Sequence, residues 1–121
     1  MTEFARYFLF FDSNVGTPVY RYIDVSSDHL DETLQYINEE KIDMISISSY
    51  YGYKLKDIDF IMNIQGLKRI VIGMMDIDID VSAISKCMSL EFVFLQDVNQ
   101  ALDLSTLPNL RGLSLGWYPS P

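Results

Sequence analysis

The sequence predicts an α/β fold in which short strands are stacked by a repeating apolar frame and closed at the N-terminal end by a hairpin and a helix. Three observations lead there. Segments 4–11 and 18–25 are rich in Phe, Tyr, Val and Ile and flank the run Asp12-Ser13-Asn14-Val15-Gly16-Thr17, which is turn chemistry between two strands of a β-hairpin. After Ser26 the apolar residues fall at helical spacing, and from residue 42 onward they recur in a single frame.

The helix is expected to start at Ser26 or Ser27, either of which offers an N-cap. Asp28, Asp31 and Glu32 fill its first turn, where the helix dipole favours acids. Leu30, Leu34 and Ile37 line one face, and the pattern ends near Glu40.

The frame that follows places an apolar residue at every third position and ends on a pair two apart. It reads Ile61, Ile64, Leu67, Ile70, Ile72; then Ile84, Cys87, Leu90, Val93, Leu95; then Leu104, Leu107, Leu110, Leu113, Leu115. A truncated copy at Ile42, Ile45 and Ile47 precedes them, so strand centres at Ile45, Ile70, Val93 and Leu113 are spaced by 25, 23 and 20 residues. The segment Leu104-Ser105-Thr106-Leu107-Pro108-Asn109-Leu110-Arg111-Gly112-Leu113-Ser114-Leu115 resembles the leucine-rich-repeat family, and the resemblance covers about residues 42–118. It implies that each repeat contributes one short strand whose inward aliphatics stack on the pair above, with Leu113 and Leu115 buried on Val93 and Leu95. Where the family carries an asparagine three residues beyond the last aliphatic, this chain has Tyr50, Met75, Val98 and Tyr118. The expected fold is therefore α/β, a short irregular leucine-rich-repeat solenoid with an N-terminal β-hairpin and helix cap. Helices are expected within 55–64 and 81–88. The 121 residues read as a single domain, 1–40 forming the cap and 41–118 the solenoid.

Seventeen acidic against nine basic residues give a formal charge of −8, a field that repels phosphate backbones and anionic lipid heads and suits a basic protein. The apolar run Phe8-Leu9-Phe10-Phe11 is too short to span a membrane, and Glu3 stands where a signal peptide would be positive. Cys87 is the only cysteine, so no intramolecular disulfide can form. A cytoplasmic location is expected.

Catalytic chemistry is sparse. The one histidine, His29, falls in the polar first turn of the helix without convergent partners. Cys87 occupies the inward place held by Ile64 and Leu107 in the neighbouring repeats, which reads as a small buried hydrophobe. The run Asp76-Ile77-Asp78-Ile79-Asp80 has the first spacings of a calcium loop, but Val81 replaces its glycine and Cys87 its glutamate. It is either a solvated edge or an acidic contact for a basic partner. No catalytic residue, metal site or cofactor is expected.

Strand residues pointing away from the core are Met44, Ser46, Ser48, Arg69, Val71, Gly73, Phe92, Phe94, Gln96, Gly112, Ser114 and Gly116. The outward Phe92 and Phe94 are either covered, by the N-terminal helix or by a second copy, or form the apolar centre of a binding patch. Beyond the strands, Tyr50, Tyr51, Tyr53, Trp117 and Tyr118 supply the large rigid rings that paratopes use. The expected partner-binding residues are these five with Asp76, Asp78, Phe92, Phe94 and Asp97. In small size, acidity and lack of catalytic residues the chain resembles the immunity proteins of bacterial toxin–immunity pairs, including those of contact-dependent growth inhibition. That likeness implies a binding inhibitor of a basic toxin, expected to be a nuclease, and the negative charge argues against nucleic acid or membrane as partner. The alternative is a leucine-rich-repeat adaptor or regulatory module.

Overall fold

The computed structural model describes residues 6–10, 20–96, 98 and 100–116, with side chains from Tyr22 onward. The anticipated turn at 12–17 lies outside them. Strand β1 (Arg6–Phe10) pairs antiparallel with β2 (Tyr20–Val25), Phe8 standing opposite Tyr22. From β2 onward every pairing is parallel. β3 (Met44–Ile47), β4 (Arg69–Ile72), β5 (Phe92–Gln96) and β6 (Gly112–Gly116) follow in chain order, so one six-stranded sheet runs β1 to β6.

Alternation decides which side is core. Ile23, Ile45, Ile70, Val93 and Leu113 stack across the parallel strands, and so do Val25, Ile47, Ile72, Leu95 and Leu115. β-branched residues suit these places because their stiff side chains pack on a pleated surface. All but the last member of each row are buried.

Parallel strands need a crossover between them. The first crossover holds the α-helix α1 (Leu30–Glu39), which follows a 3₁₀ turn at Ser27–His29. The Ser26 hydroxyl accepts the Asp28 N–H at 3.4 Å. Thr33 and Ile37 are buried, Leu30 and Leu34 partly so, and Ile37 joins the same core as Ile23 and Val25. The helix therefore covers the inward side of the sheet and leaves the outward side alone. Asn38 ties it to the next connection, donating to the Asn63 carbonyl at 3.0 Å and accepting the Gln65 N–H at 2.9 Å.

The later connections are not α-helical. The helices expected within 55–64 and 81–88 are 3₁₀ turns at Asp59–Asn63 and Ser82–Lys86, and 98–111 holds no helix among its described residues. The physical reason is in the frame itself: an apolar residue every third place matches the three residues per turn of a 3₁₀ helix and drifts off the 3.6 of an α-helix. Ile58, Ile61 and Ile64 thus reach the core together, as do Val81, Ile84 and Cys87. An aspartate opens each connection at the same place. Oδ1 of Asp57, Asp80 and Asp103 accepts the N–H two residues on, at 3.0, 2.9 and 3.0 Å, the local bond that makes Asp a turn residue.

The expected leucine-rich-repeat solenoid must be corrected. What forms among the described residues is a sheet with five strands in an all-parallel run and one short helix, which fits the α/β class only in the broad sense. A solenoid requires equivalent returns and a closed last repeat. Here the returns differ in form, no asparagine ladder shapes them, and Leu113 and Leu115 of the last register are 50% and 55% exposed instead of buried. They lie on the outermost strand, where no described element stacks over them.

Candidate functional site

The outward side of the sheet presents three rows of side chains. Tyr22, Met44, Arg69, Phe92 and Gly112 stand in register, as do Asp24, Ser46, Val71, Phe94 and Ser114. In the third row Gln96 pairs with Gly116 and lies over Gly73. Most of the first two rows are only partly buried, and no described element packs across their centre.

The centre is a hollow of about 210 Å³, lined chiefly by Met44, Arg69, Val71, Phe92, Phe94 and Ser114. Its walls come from β3, β4, β5 and β6, and the strand register brings them together. Gly112 explains the lie of its main ring. A Cβ at this position would sit 2.5 Å from Cδ1 and 2.8 Å from Cε1 of Phe92, so the ring rests on bare backbone that only glycine leaves open. On its other side the Arg69 guanidinium carbon is 4.2 Å from the Phe92 ring centroid, a cation–π contact worth about 0.5–1 kcal/mol at an exposed site. Arg69, Phe92 and Gly112 form one stack across three strands. The hollow is smaller than the roughly 300–1,000 Å³ of small-molecule sites. Its size and mainly apolar lining leave room for an apolar group no larger than a side chain.

Toward β2 the face becomes polar. The Tyr22 phenol is pushed above its ordinary value, first by burial, then by the Asp24 carboxylate and by Tyr51. Tyr50 and Tyr51 follow β3 in a 3₁₀ turn at Ser49–Tyr51, their rings edge-on at 5.2 Å, with Tyr50 79% exposed. Asp76 and Asp78 are exposed beyond β4, and the Ser49 hydroxyl accepts the Asp76 N–H at 2.9 Å, tying the two strand ends together.

Of the expected binding residues, Phe92 and Phe94 are thus in the hollow, while Tyr50, Tyr51, Asp76 and Asp78 stand at the strand ends. Tyr53 is a correction. It is fully buried, tilted on Phe60 with centroids 5.8 Å apart, and its hydroxyl donates to the Asp57 carbonyl. Burial, then Asp57 and Asp59, push its phenol well up. Its spacing beside two exposed tyrosines hid the fact that Gly52, at φ 94°, turns the chain inward. Asp97, Trp117 and Tyr118 lie outside the described residues. The sequence placed Arg69, Met44 and Val71 on this face by alternation, but their convergence on Phe92 and Phe94 depends on cross-strand register.

His29 is exposed and approaches Glu32 at 3.5 Å. Cys87 is buried, which pushes its thiol up and leaves it a poor nucleophile. Asp80 is engaged as a turn acceptor, taking hydrogen bonds from the Ser82 N–H and the Gln100 side chain. Among the described residues no group of three or more His, Cys, Asp or Glu side chains could hold a metal ion. No described helix is long and apolar enough to cross a membrane. Comparison with protein-family models, with curated proteins and with solved structures finds no match.

Proposed function

We propose that the chain is a cytosolic binding inhibitor, an immunity protein that neutralises a basic toxin of the nuclease kind by direct contact. The observation that carries this reading is the open aromatic hollow on the outward sheet face of a chain whose net charge is −8. Phe92 and Phe94, in the hollow, supply the apolar anchor, and the exposed Asp76, Asp78, Tyr50 and Tyr51 beyond the ends of β3 and β4 supply acidic and aromatic groups. A nuclease must attract phosphate and so carries the opposite field. Complementary charge raises the rate of encounter, and a buried aromatic contact slows release.

The test is to recover the partner, establish that it is basic and toxic when expressed alone, and measure both rate constants at low and high salt. Asp76→Lys with Asp78→Lys should slow association about tenfold and flatten its salt dependence. Phe94→Ala should speed dissociation about tenfold or more with little effect on association. An acidic partner, or a charge-reversed variant that binds and protects as well as the parent, would sink the inhibitor reading in favour of an adaptor indifferent to charge.

A further inference from the structure

The outer edge of β6 is unpaired among the described residues, since β6 bonds only to β5. The Gly112 N–H donates to the Glu91 carbonyl at the start of β5, at 3.0 Å. Backbone groups point to opposite sides at successive residues of a strand. Gly112, Ser114 and Gly116 therefore serve β5, while the N–H and C=O of Leu113 and Leu115 face the open edge. The side chains of the same two leucines are half exposed. Natural edge strands are blunted by charge, proline or a bulge, and Gly112-Leu113-Ser114-Leu115-Gly116 carries no charge and no proline. The segment also reads identically in both directions.

We propose that this edge pairs antiparallel with β6 of a second copy of the chain, about a two-fold axis through Ser114. A two-fold contact requires a self-complementary surface, each residue meeting a mate that meets it in return. The palindrome provides one. Leu113 meets Leu115 of the second copy and Leu115 meets its Leu113, exchanging four N–H···O=C bonds at the positions whose backbone groups face outward. Gly112 meets Gly116, and Ser114 meets its own mate in a non-hydrogen-bonded pair, the closer of the two pair types. The four leucines then join one apolar cluster beside Val93 and Leu95, removing the exposed ends of both core rows. Because Ser114 also lines the hollow, the two hollows come to lie on one continuous face. A five-residue strand pair is a small interface, so association is reversible and concentration-dependent. This inference does not depend on what the hollow binds.

Sedimentation equilibrium over about 1 µM to 1 mM tests it, a range suited to weak association. The parent should shift from monomer to dimer, and Leu113→Lys should stay monomeric throughout. Ser114→Cys should form a disulfide-linked dimer under mild oxidation at least about tenfold faster than Ser105→Cys, an exposed control away from the edge; Cys87 is buried and does not compete. The Ser114→Cys arm keeps the test valid if the lysine variant folds poorly. A parent that is monomeric across the range, a dimer that survives Leu113→Lys, or equal cross-linking of the two cysteine variants would overturn the proposal. So would Leu113 and Leu115 amides that resist hydrogen exchange equally at every concentration, which would mean that another part of the same chain holds the edge.

Discussion

Replacing Gly112 by alanine probes the stack that builds the hollow. The new methyl would stand 2.5 Å from the Phe92 ring, closer than any tolerated contact, so the ring must leave its place over β6 and the Arg69 stack must open. Overpacking of this kind costs about 1–3 kcal/mol. Gly112 does not lie in the left-handed region, so alanine fits its backbone and returns about 0.4–1 kcal/mol by restricting the unfolded chain. The net expectation is a loss of about 1–2 kcal/mol in urea denaturation. The decisive measurement is a double-mutant cycle with Phe92→Ala. Without the ring the methyl meets nothing, and Gly112→Ala should become neutral or stabilising, a coupling of at least about 1 kcal/mol. If Gly112→Ala costs the same with and without Phe92, or stabilises the parent, the close approach does not hold the ring and the hollow is not built as described.

Core and edge should respond differently: Ile72→Ala, in a fully buried row, should cost about 2–5 kcal/mol, while Leu113→Ala in dilute solution should cost under about 1.5 kcal/mol because half the side chain is already in water. Equal losses in chemical denaturation would contradict the exposed last register. Tyr53 predicts alkaline lability, since its folded phenol titrates above the ordinary 10.0. The stability it contributes is fully present below pH 10, falls as pH rises from there toward the folded value, and the fall should be shallower in Tyr53→Phe when midpoints at about pH 8 and 11 are compared. Asp80 and Asp103 are held below the ordinary 3.8, the first chiefly by the Ser82 N–H and the second by the Ser105 hydroxyl. Their contribution is present above that value and lost as pH falls through the lower folded one, so Asp80→Ala should flatten the acid limb of a pH titration of unfolding.

Local signals in this chain were legible because they depend on near neighbours. The aromatic and β-branched segments at 6–10 and 20–25, Ser26 and Asp28 ahead of Leu30, and the alternating pairs Ile45/Ile47, Ile70/Ile72 and Val93/Leu95 specify strands, the 3₁₀ turn that leads into the helix and an inward face through backbone sterics and burial within a few residues. Cys87 could be placed in the core by the same frame. Two kinds of information were not local. The three-residue period was equally open to loose α-helical returns until packing against the sheet drew Ile58, Ile61 and Ile64 inward together, and the returns closed as 3₁₀ turns under Asp57 and Asp80. Burial at the end of a stack depends on what lies beyond it, so Leu113 and Leu115 match the frame as well as Val93 and Leu95 yet remain half in water. The hollow belongs to this second kind. Met44, Arg69, Phe92 and Gly112 lie 20 or more residues apart in the chain, and only the parallel register sets a glycine beneath a ring and a guanidinium against it. Side-chain alternation can assign a residue to a face, but which residues touch on that face is settled by how the strands align.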